Sequence, residues 1–121
     1  MRLAISLFLI SGIALAHEWS GYLVDSGCWA SRQNNVSTVS TNVDRDMEMD
    51  LRFCSPTIRT RQFAVLLRDW QSVNLDPATN EKATYLARKA SRPRVLFVSM
   101  NGALNGKAIH AGSIWATKPH R

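Results

Sequence analysis

The sequence predicts a small, mainly β domain with one helix. Three observations predict it: short runs rich in β-branched and aromatic residues set between turn residues, a single stretch of helical period behind a capping signal, and one pair of cysteines. Ahead of these lies MRLAISLFLISGIALA, with one cation at Arg2, an apolar stretch from Leu3 to Leu15 and the small-x-small ending Ala14-Leu15-Ala16. This is the layout of a cleavable secretory signal peptide over residues 1–16. Its apolar stretch, interrupted by Ser6, Ser11 and Gly12, falls short of the roughly 20 residues needed to span a bilayer. Cleavage after Ala16 leaves residues 17–121 as one secreted domain with no transmembrane segment and room for one modest core.

From Glu18 to Cys28, the apolar Trp19, Tyr22 and Val24 predict a first strand, with Gly21 as a bulge or bend. Ala30 to Val43, rich in Ser, Thr and Asn, predicts an exposed loop carrying the glycosylation sequon Asn35-Val36-Ser37. In VDRDMEMDLRFC, Met47, Met49, Leu51 and Phe53 alternate with Asp46, Glu48, Asp50 and Arg52. That period of two predicts a half-buried strand, against the helical preference of Met, Glu, Leu and Arg. Gln62–Arg68 and Gln71–Leu75, with Asp69-Trp70 between them, predict a hairpin.

Asp76-Pro77 then supplies a helix N-cap followed by proline at the first helical position, with Asn80 as an alternative cap. Ala83, Leu86, Ala87 and Ala90 follow at the spacing of one buried face, so a helix from Pro77 to about Ala90 is predicted, stopped by Ser91-Arg92-Pro93. Arg94 to Met100 predicts a strand, NGALNG a turn, Lys107 to Ala116 a last strand, and TKPHR a loose tail. This order is that of a small OB-like five-stranded barrel whose single helix plugs the gap between the third and fourth strands. An α+β antiparallel sheet with one covering helix is the alternative.

The opening W-S-G-x-L-V-D-x-x-C (Trp19, Gly21, Leu23, Val24, Asp25, Cys28) and Cys54 before an F-A-V strand at Phe63 carry a resemblance, as do L-D-x-x-x-N-x-x-A (Leu75, Asp76, Asn80, Ala83) and the ending V-x-F-V … I-x-A-x-S-I (Val95, Phe97, Val98, Ile109, Ala111, Ser113, Ile114). Together they resemble small secreted bacterial proteins of an uncharacterised family, a domain of unknown function. The resemblance implies an OB-like barrel and brings no known reaction with it.

Fifteen Lys and Arg against nine Asp and Glu give a net charge of +6, one less once Arg2 leaves with the signal peptide. Such a balance favours solubility and attraction to anionic surfaces, and export argues against nucleic acid as a partner. The expected compartment is secreted or periplasmic. There Cys28 and Cys54, the two cysteines, pair by default as a disulfide.

Several constellations bear on chemistry. Cleavage after Ala16 would make His17 the N-terminus, whose amine and imidazole could chelate copper given a second histidine, His110 on the last strand or His120 in the tail. Asp44, Asp46, Glu48 and Asp50 mimic the odd positions of a calcium loop, but Met49 stands where the glycine is required and Ser55 where the closing glutamate belongs, so these acids are expected on the wet face of a strand. Asp25 and Asp76, with Ser26 or Ser55, would be the groups of a small hydrolase; no nucleophile-elbow or metal motif accompanies them, and a turn former and a helix cap are their ordinary roles. Arg61, Arg68, Trp70, Tyr85 and Arg94 interleave cations with rings, as OB barrels do to hold oligosaccharides or oligonucleotides. Trp19, Trp29 and Trp115 are expected near the barrel ends, with Trp29 exposed. The expectation is a secreted bacterial envelope protein acting as a non-catalytic binding or interaction module without a cofactor. Its partner would be an anionic glycan, a lipid headgroup or another envelope protein. A metal-binding periplasmic protein using His17, and a small hydrolase, are the alternatives.

Overall fold

A computed structural model describes residues 17–34, 43–90 and 95–119; the predicted signal peptide, the sequon, Arg94 and His120 lie outside them. Among the described residues, five strands and three helices follow in the order β1 (His17–Asp25), α1 (Ser26–Asn34), α2 (Val43–Phe53), β2 (Phe63–Leu66), β3 (Ser72–Leu75), α3 (Pro77–Lys89), β4 (Leu96–Asn105) and β5 (Ala108–Ala116). The strands form a closed ring in the order β1-β2-β3-β5-β4, with β4 returning to β1. Every pairing is antiparallel except β3 with β5, a parallel contact of two residue pairs, Asn74↔Ala108 and Leu75↔Ile109. Among the described residues no helix is long and apolar enough to cross a membrane.

Strand alternation divides the apolar residues between two cores. Leu23, Phe63, Val65, Leu75, Val98, Met100 and Ile109 fill the ring interior, and Ala83 and Ala87 of α3 pack against them. The neighbouring positions Val24, Ala64 and Leu66 point outward, into a second core with Trp29 of α1, Leu51 of α2 and Cys54. All four residues of β2 are therefore buried, because both of its faces are covered.

α3 follows the predicted signals: Asp76 Oδ1 accepts the Thr79 N–H at 2.9 Å, and Pro77 occupies the first turn. Asn80 does not cap. Its side chain joins strand to helix, Oδ1 accepting from Phe63 N–H at 2.9 Å and Nδ2 donating to the Leu75 carbonyl at 3.2 Å.

The segment after β1 departs from expectation. The first strand ends at Asp25, whose Oδ1 accepts the Cys28 N–H at 3.0 Å and so caps α1. A helix therefore occupies Ser26–Asn34 where the polar composition predicts loop from Ala30 onward. Its anchor is Trp29, 3% exposed rather than open to solvent, so docking onto the second core outweighs the weak propensity of Ser, Gly and Asn.

α2 replaces the predicted strand. Met47, Asp50, Leu51 and Cys54 turn inward at helical spacing, whereas Met49 (59% exposed) and Phe53 (66% exposed) face solvent. The alternation of apolar residues was real, but half of them lie outside. Asp50, expected on a wet face, is buried and bonded to Arg32 at 3.0 Å; the Arg32 guanidinium also lies 4.3 Å from the Phe53 ring centroid. The Cys28–Cys54 disulfide, with Cα atoms 5.5 Å apart, joins α1 to the end of α2.

NGALNG is largely strand: β4 runs to Asn105, and the turn is confined to Gly106-Lys107, with Gly106 at φ +70°. The tail is not loose at its start, since Thr117 N–H donates to the Phe97 carbonyl at 2.9 Å.

Candidate functional site

The β2–β3 turn carries an unusual backbone conformation. Leu67 N–H donates to the Gln71 carbonyl at 2.9 Å, the Leu67 carbonyl accepts the Trp70 N–H at 2.9 Å, and Asp69 Oδ1 accepts from Gln71 N–H at 3.1 Å. This is a three-residue hairpin loop, a β-turn followed by a residue in the left-handed region, where glycine is the ordinary choice. Trp70 stands there, at φ 68°. A bulky side chain in that region costs about 1–2 kcal/mol, so the surrounding turn and packing hold it in place.

Trp70 packs on the rim of the second core, beside the part of the β1–β2 face that α1 and α2 leave open. Here lies a groove of about 240 Å³. Leu66 and Leu67 form apolar wall, Trp70 and Arg68 flank them, and Tyr22 and Phe97 stand opposite, their rings edge to face with centroids 5.1 Å apart. Ser20 adds a hydroxyl, 2.8 Å from the Ser99 hydroxyl. Gly21 permits the shape: a Cβ there would sit 2.1 Å from the Leu66 carbonyl oxygen, so only glycine lets β1 pass this close to β2. The tail reaches the groove too, with Pro119 on its lining.

Of the five predicted ligand residues, the groove brings together Arg68 and Trp70. Arg61 lies apart, in a cleft with Gln62, Pro77, Asn80 and Glu81 beside the start of α3. Tyr85 is exposed on α3, with Lys89 Nζ 5.1 Å from its ring centroid, and Arg94 lies outside the described residues. Proximity in sequence joined residues that the hairpin and helix separate. Tyr22 and Phe97 escaped sequence reasoning because they meet only through the β1–β4 register, Tyr22↔Phe97. The outward phase of β1, Tyr22 beside inward Leu23, is the signal that could have found the first of them.

The remaining candidates are occupied in structure. His17 is exposed at the start of β1, its ring centroid 4.2 Å from that of Trp19. His110 on β5 places Nδ1 2.6 Å from Asp76 Oδ2. β4 runs between them, paired with His17 through Gly102 and with His110 through Ala103. Among the described residues, no three or more His, Cys, Asp or Glu side chains converge as a metal site. Burial works to raise the Asp76 pKa, but hydrogen bonds from Thr79, and the contact with His110, hold it below the ordinary value. Asp25 also accepts from the Thr60 hydroxyl at 3.1 Å, and the Ser55 hydroxyl is buried, donating to the Leu51 carbonyl at 3.0 Å. Each thus serves a cap or a turn.

No protein-family model, curated protein or solved structure matches the chain.

Proposed function

We propose that the protein is a non-catalytic binding module built on an OB-like barrel, exported to the cell envelope as the small secreted bacterial proteins it resembles are, and that the groove beside Trp70 takes an anionic glycan. Supporting the barrel reading are the ring order β1-β2-β3-β5-β4, its parallel closure between β3 and β5, and the helix inserted between the third and fourth strands. The Cys28–Cys54 disulfide supports an oxidising compartment.

The single observation that carries the ligand reading is Trp70 at φ 68° on the groove's rim. A position that backbone energetics would give to glycine carries instead the largest ring in the repertoire, and strain of this kind is retained where a site uses it. Tryptophan and tyrosine faces pack on the C–H faces of sugar rings, and Arg68 supplies a planar cation that bonds a carboxylate through two N–H groups.

Tryptophan fluorescence titration with an unsaturated uronic acid–N-acetylhexosamine disaccharide tests this. Saturable quenching that disappears in Trp70→Ala, weakens in Arg68→Ala and fades with added salt is expected. The absence of binding, or binding indifferent to both substitutions, rejects the reading.

A further inference from the structure

The groove ends on β2 at Leu66, and directly across the hairpin from Leu66 is Ser72. Ser72 lines a second cleft, of about 380 Å³, between α1 and the outer face of β2 and β3. We propose that the ligand of the groove is an oligosaccharide that continues past Trp70 and the exposed Ser72 into this cleft, where Gln33 and Asn74 bind its next sugar. The inference rests on the groove reading above and adds a second subsite to it.

Three features support the extension. The two sites are neighbours: Leu66, buried at the end of the groove, is paired with Ser72 at a spacing of about 5 Å, and the exposed Ser72 follows Trp70 of the groove's rim by two residues, so the surface along the hairpin leads from one to the other. The cleft also differs chemically from the groove, for Ser26, Gln33, Asn34, Ser72 and Asn74 surround Trp29 and Ala64 with amides and hydroxyls. Such groups offer donors and acceptors together, the set that matches sugar hydroxyls and an acetamido carbonyl and not an acyl chain.

The third feature is Gln33 itself. Its Nε2 is enclosed, with no hydrogen-bond partner among the described residues. A buried donor left unsatisfied destabilises the fold, and such groups call for an explanation. Gln33 lines the cleft, and the last torsion of a glutamine side chain has a broad profile, so its amide can turn its N–H toward an acceptor placed there. An acetamido carbonyl or ring hydroxyl in the cleft satisfies the donor that the protein leaves unpaired.

Isothermal titration with the uronic acid–N-acetylhexosamine disaccharide and with the tetrasaccharide of the same repeat tests the extension. The tetrasaccharide is expected to bind about tenfold more tightly than the disaccharide. That gain should vanish in Gln33→Leu and in Asn74→Ala while disaccharide affinity stays unchanged. Asn74 is exposed, so its variant keeps the test valid if Gln33→Leu folds poorly. A tetrasaccharide no tighter than the disaccharide, or a gain that survives both substitutions, overturns the second subsite and leaves the groove standing. Failure of the disaccharide itself to bind overturns the groove, and the extension with it.

Discussion

Trp70 concentrates the tension between backbone and side chain. In its left-handed conformation glycine is free of the Cβ penalty that alanine carries, so the usual ranking of the two residues reverses. Trp70→Gly is therefore expected to be more stable than Trp70→Ala by about 1–2 kcal/mol in urea denaturation, with both variants blind to the disaccharide. Equal stability, or alanine the better, would show that the turn does not impose this geometry. Asp-Trp between two apolar runs marked a turn in the sequence, but nothing local announced that the tryptophan takes the glycine position, because turn type depends on how the two strands meet.

At the scale of the element, α2 separates two readings of one pattern. Apolar residues at 47, 49, 51 and 53 share a face in a strand, whereas in a helix Leu51 is buried and Met49 and Phe53 are not. Leu51→Ala should cost about 2–4 kcal/mol, while Met49→Ala and Phe53→Ala should each cost about 0.5 kcal/mol or less, measured by thermal or urea unfolding. Similar losses at all three positions would restore the strand. Helix α3 was legible because its cap, proline and buried stripe agree; α1 was not, because its polar residues favour no helix and it rests on docking, and α2 was not, because the period of two in its apolar residues outweighed their helical preference. The hairpin was legible from its composition, and the cysteine pair from there being two cysteines behind a predicted signal peptide. Closing the loop between Cys28 and Cys54 stabilises the fold by about 3.5 kcal/mol in the chain-entropy account, enough to hold α1, whose local preference is weak, against the end of α2.

For the whole molecule, the order of elements was enough to anticipate a mainly β fold with a helix after the hairpin, but it counted α2 among the strands and held no sign of the register that brings Tyr22 to Phe97, so only half of the groove was legible. The ring of strands is unevenly closed. β4 is paired with β1 over Leu96–Gly102 and with β5 over Val98–Asn105, whereas β3 meets β5 through two residue pairs. Local opening follows the thinnest connection. Native-state hydrogen exchange should show peptides spanning Ser72–Leu75 exchanging before those spanning Leu96–Asn105; equal protection would mean that the ring opens as one unit.

The pairing of β1 with β4 also sets a timetable. The first described strand finds one of its two neighbours only when a segment near the other end of the chain arrives, His17 opposite Gly102 and Leu23 opposite Leu96. Such distant pairing slows folding. A nascent chain must hold that edge of β1 unmated for most of its synthesis, which exposes it to aggregation for as long as the wait lasts.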